Sequence, residues 1–307
     1  MSEEGYFLGY PSADLHGEET FFSIIPAPYE GTTTYVRGQA AAPSAILDAS
    51  SQVGDYDEET SLTLVNDGIH VIHPDLAPTE DAALEEWVKL RMEEALAAHA
   101  VPIILGGEGI VSLWGIETLI RHTASRNGGE VSILHIDANA DLNEAEQGEE
   151  DHHTVMRRVL ELPPRPPNIC QVGIRALSRD AWERIMDESQ PVETFFMCDI
   201  NRKPDDSWHN DVIETVNTPV YLSIDLTAFD PAVIPNVSNP EPGGFDWWPL
   251  LRLIKNVAAR RRIAAIDITE LCPREGLVRS DFAAARLLYK IMNYIKVSGK
   301  MLPKETS

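Results

Sequence analysis

Two segments of the sequence carry acidic residues at spacings that suit a metal site. The first, ILHIDANAD, places Asp137, Asn139 and Asp141 at alternate positions, and the second, YLSIDLTAFDP, does the same with Asp225 and Thr227. Alternate residues of an extended chain point to one side, so the side chains of each segment can converge. A lone aspartate at a strand end often only caps a turn, but its repetition in two segments favours a shared site. Such clustered carboxylates suit a hard divalent ion such as Mn²⁺ or Mg²⁺.

Short β-branched or apolar runs, bounded by Gly, Pro or Asp, predict the strands that position these acids. The predicted strands are Phe21–Ile25, Ile69–Ile72, Pro102–Leu105, Ser132–Ile136, Ile169–Val172, Thr194–Cys198, Val220–Ile224 and Ile263–Ile268. The predicted helices are Glu80–Ala98 after an N-cap at Thr79, Val111–His122, Trp247–Arg260 and Asp281–Ile295. This alternation predicts a three-layer α/β/α fold with a mainly parallel eight-stranded sheet. Functional groups collect beyond the carboxyl ends of such strands, where both acidic segments lie.

Composition and charge narrow the function classes. The 307 residues are 43% hydrophobic, which supports a substantial buried core, and they show no internal repeat, so a single domain is predicted. A formal charge of −24 argues against binding to nucleic acid or to anionic membranes and favours attraction of cations. No apolar run approaches the roughly 20 residues that span a bilayer, and the N-terminus lacks the basic region of a signal peptide. A cytoplasmic protein is therefore expected.

The three cysteines do not form a pattern typical of disulfides or zinc sites. Cys170, Cys198 and Cys272 are odd in number, widely separated and set in apolar, strand-like contexts. We expect all three to be reduced core residues. The proline-rich segment Leu162–Pro167 is interpreted as a stiff connector within the domain.

Three sequence blocks follow one another in a characteristic order, namely GGEG at 106–109, DANAD at 137–141 and SIDLTAFDP at 223–231. In order and spacing they resemble the signature blocks of the ureohydrolase family, which comprises arginase, agmatinase, formimidoylglutamase and their relatives. Flanking segments with the same resemblance are PYEG at 28–31, QVGIR at 171–175, PEPGG at 240–244 and DITE at 267–270. The resemblance extends from about residue 20 to about residue 295. It implies one agmatinase-like ureohydrolase domain over residues 1–307.

The resemblance also implies a chemistry and a set of ligands. In this family two Mn²⁺ ions share a bridging hydroxide, which attacks the planar carbon of a guanidinium or amidine and expels an amine. Six side chains normally bind the two ions. The retained ligand positions are Asp137, Asp141 and Asp225. The degenerate ligand positions, where family members have His, His and Asp, are Gly109, Asn139 and Thr227.

The three replacements affect the two ions unequally. By the family pattern, positions 139 and 227 serve only the second ion, so this ion is predicted to be absent. The first ion loses the histidine at Gly109 but keeps three carboxylates, so at most one Mn²⁺ is expected and a metal-free site is an alternative. Without an ion, the aspartates must raise their pKa values, hydrate, or meet a cationic group such as a guanidinium.

Further positions are implied by the resemblance or by their chemistry. His152 matches a loop histidine that moves protons, although a register shift to His153 or an exposed loop are alternatives. Glu270 matches the glutamate that grips the guanidinium of the substrate. Glu108 is a further acid near the site. His135 shares a strand face with the first aspartate, and a buried, hydrogen-bonded histidine is favoured over a replacement ligand.

Two functional hypotheses follow from the retained and degenerate positions. The first is a catalytically inactive homologue, a pseudoenzyme, that binds a cationic guanidino or amine ligand or a partner protein. The second is an active agmatinase-like hydrolase that cleaves C–N bonds of linear amidines with one ion. We favour the first, because loss of the two-ion hydroxide removes several kcal/mol of barrier reduction. By resemblance, a homo-oligomer such as a trimer or hexamer is expected.

Overall fold

The computed structural model describes residues 6–17, 20–33, 35–64, 68–127, 130–144, 152–163, 168–203 and 205–300. Within these residues a short antiparallel pair, β1 (Tyr6–Phe7) and β2 (Tyr10–Pro11), precedes an eight-stranded sheet. The strands of this sheet are β3 (Phe22–Ala27), β4 (Ile69–Val71), β5 (Val101–Gly106), β6 (Ser132–Ile136), β7 (Ile169–Ile174), β8 (Val192–Phe196), β9 (Val220–Asp225) and β10 (Ile263–Thr269). They are arranged in the order β4-β3-β5-β10-β9-β6-β7-β8, and all neighbouring pairs are parallel.

Helices cover both faces of the sheet. They are α1 (Ala42–Ser50), α2 (Asp81–Ala97), α3 (Ile110–Asn127), α4 (Val155–Glu161), α5 (Arg179–Ile185), α6 (Met197–Ile200), α7 (Trp208–Thr215), α8 (Trp247–Arg260) and α9 (Arg279–Ser298). Two apolar clusters fill the spaces between sheet and helices, one with α1 and α6 to α9 and the other with α2 to α5. Successive strand residues pack into opposite clusters; Ile103 of β5 belongs to the first and Ile104 to the second. The predicted three-layer α/β/α fold is thereby confirmed.

The predicted elements agree with the structure at most positions. All eight strands are present, and α8 has the predicted bounds. The prediction for Thr194–Cys198 was wrong at its end, because β8 stops at Phe196 and α6 begins at once. Cys198 lies on α6 and is exposed, whereas Cys170 and Cys272 are buried free thiols as expected. The N-cap of α2 is Glu80, in extended conformation, and not the predicted Thr79. Residues 164–167 of the predicted connector lie outside the described residues.

Four adjacent central strands point their carboxyl ends at the same edge of the sheet. In spatial order these are β5, β10, β9 and β6. The blocks that carry the site residues begin at or just after these ends, at Gly107, Glu270, Asp225 and Asp137. Backbone bonds continue the pairing past the strands, as Glu270 N–H donates to the carbonyl of Gly107 at 2.8 Å. The parallel topology therefore assembles residues from four distant parts of the chain.

Among the described residues, every helix is too short or too polar to span a lipid bilayer.

Candidate active site

Three aspartates of the two acidic segments lie buried at the carboxyl edge of the sheet. Asp137, Asp141 and Asp225 are 1%, 8% and 8% exposed. Asp137 follows β6 directly, and its Oδ1 accepts a hydrogen bond from the backbone N–H of Asn139 at 2.9 Å. Asp141 has a positive φ of 52°, an uncommon conformation for a residue other than glycine. Ligand atoms of Asp141 and Asp137 lie within 4.8 Å of each other, so the two aspartates belong to one site.

The hydroxyl of Thr227 connects the two acidic segments. Its Oγ1 lies 2.8 Å from Oδ1 of Asp137 and 2.6 Å from Oδ1 of Asp225. The backbone N–H of Thr227 also donates to Oδ1 of Asp225 at 2.7 Å, so this aspartate caps the short turn Leu226–Ala228. Thr227 itself is buried. A neutral hydroxyl therefore occupies the space between two carboxylates.

His135 lies on the other side of Asp137. Its Nε2 is 3.1 Å from Oδ2 of Asp137 and 3.8 Å from Oδ2 of Asp141. The contact with Asp137 is imperfectly aligned, so this buried Oδ2 atom has no well-formed hydrogen bond within the described residues. His135, Asp137 and Asp141 each offer one potential ligand atom, and these atoms lie within 4.8 Å of one another. This group could surround a single small cation.

The pKa values of the carboxyl groups in the site are shifted in different directions. Burial and the charge of Asp137 raise the pKa of Asp141 and of Asp225 well above the ordinary value, and the charge of Glu270 adds to both shifts. Burial acts in the same direction on Asp137, but the hydrogen bonds it receives outweigh burial and lower its pKa. Burial alone would lower the pKa of His135. The effect of Asp137 is opposite and larger, so the pKa of His135 is raised. The site is thus one in which additional positive charge is favoured.

Glu108 anchors the N-terminal loop and does not point freely into the site. Its carboxylate accepts hydrogen bonds from the N–H groups of Gly31 and Thr32, both at 2.8 Å, and from the hydroxyl of Thr33 at 2.7 Å. Although burial opposes ionisation, these bonds and His152 lower the pKa of Glu108 to about 2. Both carboxylate oxygens of Glu108 are therefore engaged in holding this loop.

His152 is buried on a short 3₁₀ turn, so the alternative of an exposed loop histidine was wrong for this residue. Its Nδ1 lies 3.3 Å from Oε1 of Glu108 and 3.2 Å from Oγ1 of Thr32. His153 is less buried, and its Nδ1 lies 3.9 Å from Oδ1 of Asp141. Both histidines thus border the acidic site. Residues 145–151 of the preceding loop lie outside the described residues.

Glu270 closes the site on the side of β10. It is buried, has a φ of 68°, and accepts a short hydrogen bond at Oε1 from the backbone N–H of Gly109. Its Oε2 lies 3.3 Å from Nε2 of Gln39. A Cβ atom at Gly109 would lie 3.4 Å from Oε1 of Glu270 and 3.8 Å from Cβ of His152, which is ordinary contact. Position 109 therefore has room for a Cβ atom.

Asn139 borders the opening of the site. It lies with Asp141, Asn143 and His153 around a small cavity of about 150 Å³. The backbone at Asn139 forms an isolated parallel bridge with Ala176, which fixes this segment beside the end of β7. Of the three positions singled out as degenerate in the sequence, Thr227 contacts Asp137 and Asp225, Asn139 shares a turn with Asp137, and Gly109 lies beside Glu270.

Arg175 and Gln171 shape the site but were not identified as site residues from the sequence. The guanidinium of Arg175 donates to the carbonyls of Thr227 at 2.7 Å, Glu241 at 2.8 Å and Pro242 at 3.1 Å. It therefore joins the loop after β9 to the PEPGG turn. The available signal was the QVGIR block itself, in which two long polar side chains interrupt an apolar strand.

Comparisons with known proteins agree with this fold and site. The sequence pattern of the Arginase family matches residues 21–293. Over 280 residues the chain is 32% identical to N(1)-aminopropylagmatine ureohydrolase of Synechocystis sp., covering 88% of each chain. It is 29% identical to a protein of the same name from Thermus thermophilus, covering 97% of this chain and 98% of that one. The structure of agmatine ureohydrolase from Thermoplasma volcanium shares the fold with a TM-score of 0.77 at 24% identity, covering 94% and 93%.

The eight-stranded parallel sheet is that of the arginase-like α/β fold, and the match over residues 21–293 gives the class of protein. The chain belongs to the arginase family, and it is an agmatinase-like ureohydrolase homologue within that family.

Proposed function

We propose that this protein is an agmatinase-like homologue that binds a cationic guanidino or amine ligand and lacks the two-ion centre of an efficient hydrolase. The observation that carries the proposal is the position of Thr227. Its hydroxyl bonds to Asp137 and Asp225 at the place where family resemblance implies an aspartate ligand of the second ion. A hydroxyl supplies no negative charge there, so a second cation loses both a ligand and the charge that would balance it.

The remaining donors fit one cation better than two. Oδ2 of Asp137 is buried without a well-formed hydrogen bond within the described residues, and it faces Oδ2 of Asp141 across His135. By contrast, Oδ1 of Asp137 and Oδ1 of Asp225 are each engaged by protein donors. Asp137, Asp141 and Asp225 are therefore the proposed ligands if a single Mn²⁺ binds, and that ion would supply Lewis acidity and an activated water.

An organic cation satisfies the same charges without demanding a fixed coordination geometry. The charges of Asp137 and Glu270 raise the pKa values of Asp141 and Asp225, and a guanidinium or ammonium would relieve this repulsion. Glu270 is the proposed partner of the guanidinium, since a carboxylate can accept two parallel N–H bonds from it. The relatives named for aminopropylagmatine ureohydrolase point to a linear guanidino compound with additional amines as the ligand.

The alternative function is an active hydrolase of linear amidines that uses one ion. It is favoured by the retained Asp137, by the acidic pocket and by His152, the proposed proton carrier, whose Nδ1 is fixed by Glu108. Against it stands the loss of the bridging hydroxide. Each 1.4 kcal/mol of lost transition-state stabilisation slows a reaction about tenfold, so a deficit of several kcal/mol would leave very slow turnover.

Metal stoichiometry and urea release test the two functions together. Purified protein is incubated with excess Mn²⁺, desalted and analysed for bound metal, and urea release is measured with agmatine and with N(1)-aminopropylagmatine. We expect at most one ion per chain and turnover at least a thousandfold below that of the triple variant Gly109→His, Asn139→His, Thr227→Asp. Two tightly bound ions and rapid turnover in the natural chain would overturn the proposal.

Matched variants separate binding from catalysis. Agmatine affinity, measured by calorimetry without metal, should fall at least tenfold in Glu270→Gln, whereas the exposed-residue control Glu183→Gln should not change. If urea is released slowly, and this activity disappears with chelator and with Asp137→Ala, the one-ion hydrolase is the correct function. Absence of agmatine binding and of urea release would contradict both proposed functions.

We also propose that the protein is homo-oligomeric, as the family resemblance implies, and cytoplasmic. Light scattering coupled to size-exclusion chromatography checks the first point, and a mass equal to that of one 34.1 kDa chain would contradict it.

A further inference from the structure

Gln39 is a completely buried polar residue beside the acidic site, and the proposed function assigns it no role. It begins the short 3₁₀ turn Gln39–Ala41 that leads into α1. Gly38, the residue before it, has a φ of 124°, in the region that favours glycine. From this turn the side chain of Gln39 reaches the carboxylate of Glu270, which is 231 residues away in the sequence.

The amide NH₂ group of Gln39 lies between two oxygen atoms. Its Nε2 is 2.7 Å from Oγ1 of Thr33 and 3.3 Å from Oε2 of Glu270. The hydroxyl of Thr33 donates its single hydrogen to Oε1 of Glu108 at 2.7 Å, because this carboxylate, with a pKa of about 2, is ionised and can only accept. Oγ1 of Thr33 must therefore accept from Gln39. The atom of Gln39 that contacts both oxygens is thus the NH₂ nitrogen and not the amide oxygen.

The carboxylate of Glu270 is consequently held at both of its oxygens. Oε1 accepts from the backbone N–H of Gly109, and Oε2 accepts from the NH₂ group of Gln39. Two donors, one at each oxygen, restrict rotation of the carboxylate about its terminal bond. Burial raises the pKa of Glu270, and its polar neighbours, Gln39 and Ser238 among them, offset only part of this effect. A cationic ligand would favour the ionised carboxylate.

The other end of the amide contributes little to the fold. The Oε1 atom of Gln39 is buried, and within the described part of the chain it has no hydrogen-bond partner. A buried acceptor without a partner lowers stability, and a methionine of similar length would avoid this cost. The contribution of Gln39 therefore comes from its NH₂ group.

We propose that Gln39 is a positioning residue that fixes the carboxylate of Glu270 for a planar guanidinium and thereby selects guanidino ligands over simple amines. A guanidinium offers two parallel N–H groups, so it needs a carboxylate of defined orientation. An ammonium is a compact point charge that tolerates a rotating carboxylate. This role rests on the proposed function, since Glu270 must meet the cation, and it adds the class of ligand and the residue that determines it.

Ligand affinities of matched variants test this role. Agmatine and 1,5-diaminopentane, a linear diamine of similar length, are titrated by calorimetry without metal into the natural chain, into Gln39→Met and into Gln52→Met, the control at an exposed position. We expect the natural chain to prefer agmatine. Gln39→Met should weaken agmatine binding about tenfold or more and diamine binding less than about threefold. The control should change neither affinity. Equal losses for both ligands, or no preference for agmatine in the natural chain, would overturn the proposal.

A double variant shows whether Gln39 acts through Glu270. Once Glu270→Gln has removed the carboxylate, adding Gln39→Met should weaken agmatine binding by less than about twofold more, because the two side chains act as one unit. A further loss as large as that in the natural chain would show that Gln39 acts independently of Glu270, and the positioning role would be wrong.

The outcomes distinguish this role from the proposed function. A natural chain that binds neither ligand contradicts the proposed function, whereas an agmatine affinity that is unchanged in a folded Gln39→Met contradicts only the role of Gln39. Urea unfolding shows which variants are folded. If Gln39→Met is not, Gln39→Asn takes its place, because its amide is one methylene shorter and should lose the contact with Glu270. Failure of both variants to fold would show that the amide is needed by the fold itself, which overturns the proposal.

Discussion

The hydroxyl of Thr227 lies 2.8 Å from Oδ1 of Asp137, and this contact joins the ends of two neighbouring strands. Asp137 follows β6 and Thr227 follows β9, and these strands pair in parallel from Ser132 to Ile136. The same hydroxyl also contacts Asp225 at 2.6 Å. The hydroxyl of Thr227 thus engages one carboxylate oxygen of each of the two acidic segments.

Thr227→Val tests how much this hydroxyl contributes. Valine has nearly the same shape, so the change chiefly removes a hydrogen bond shared by two buried carboxyl groups. We expect the free energy of unfolding to fall by about 1–3 kcal/mol, because a buried hydrogen bond to a carboxylate is lost. Urea unfolding measures the change. Thr227→Ser keeps the hydroxyl and should cost clearly less than Thr227→Val, and equal losses would show that the hydrogen bond is not responsible.

The sequence predicted the sheet well because six of its eight strands are short runs buried on both faces. All six residues of Val220–Asp225 are buried, and strands buried on both faces are recognisable in a sequence as nearly continuous hydrophobic runs. The shorter helices left a weaker signal. Helices α4 to α7 contain four to eight residues each, which is barely enough to show a helical period.

The site was predictable in its outline and not in its contacts. Strand-end position and family resemblance identified Asp137, Asp141 and Asp225, which the structure brings into one acidic pocket. The contact of Thr227 with Asp137 depends on the pairing of β6 with β9, which sequence spacing does not define. The tie between Gln171 and the turn after β6 likewise depends on tertiary structure. Roles of individual residues in binding and catalysis stay predictions.

Two neighbouring glycines should respond very differently to alanine. A Cβ atom at Gly107 would lie 1.9 Å from the carbonyl oxygen of Tyr29, and backbone atoms cannot move aside cheaply. At Gly109 the nearest atom is the Oε1 atom of Glu270 at 3.4 Å. We expect Gly107→Ala to destabilise the fold by about 2–4 kcal/mol, as overpacking of a buried site does, and Gly109→Ala by about 1 kcal/mol or less. Thermal unfolding of both variants checks this.

The relative size of these two effects also bears on the experiment with the triple variant Gly109→His, Asn139→His, Thr227→Asp. A tolerated Gly109→Ala means that the Cβ atom of a histidine at this position can be placed without moving the backbone. If Gly109→Ala were the more damaging change, failure of the triple variant to gain activity would carry no information about the metal site.

Glu108 should make stability depend on pH in the acidic range. Burial raises the pKa of this carboxyl, but His152 and the loop donors outweigh burial and lower it from the ordinary value of 4.5 to about 2. The contribution of Glu108 to stability is therefore fully present above about pH 4.5 and is lost as pH falls toward 2. A shift of this size corresponds to about 3 kcal/mol.

Glu108→Gln removes this titration and places an NH₂ group among donors. We expect a loss of about 3 kcal/mol at pH 7 and a much smaller loss at pH 3, measured by urea unfolding at several pH values. Glu183→Gln, at an exposed position that forms an ion pair with Arg179, is the control and should change little at either pH. An equal loss for Glu108→Gln at both pH values would show that its charge is not the cause.

Arg175 should be essential to the shape of the site, although among the described residues it forms no hydrogen bond with the proposed ligand carboxylates. Its guanidinium donates to the backbone carbonyls of Thr227, Glu241 and Pro242, so replacement leaves several half-buried acceptors unpaired. We expect Arg175→Lys to lower the free energy of unfolding by about 2–4 kcal/mol, because an ammonium cannot reproduce the planar fork of donors. Urea unfolding measures this loss.

Two further variants separate the donors of Arg175 from its length and charge. Arg175→Met has similar length and no donor, so it should be at least as damaging as Arg175→Lys. Exposed Arg179→Lys is the control, and urea unfolding should place it within about 0.5 kcal/mol of the natural chain. A stable Arg175→Lys that also keeps the agmatine affinity of the natural chain would show that the loops beyond β9 keep their conformation without this arginine.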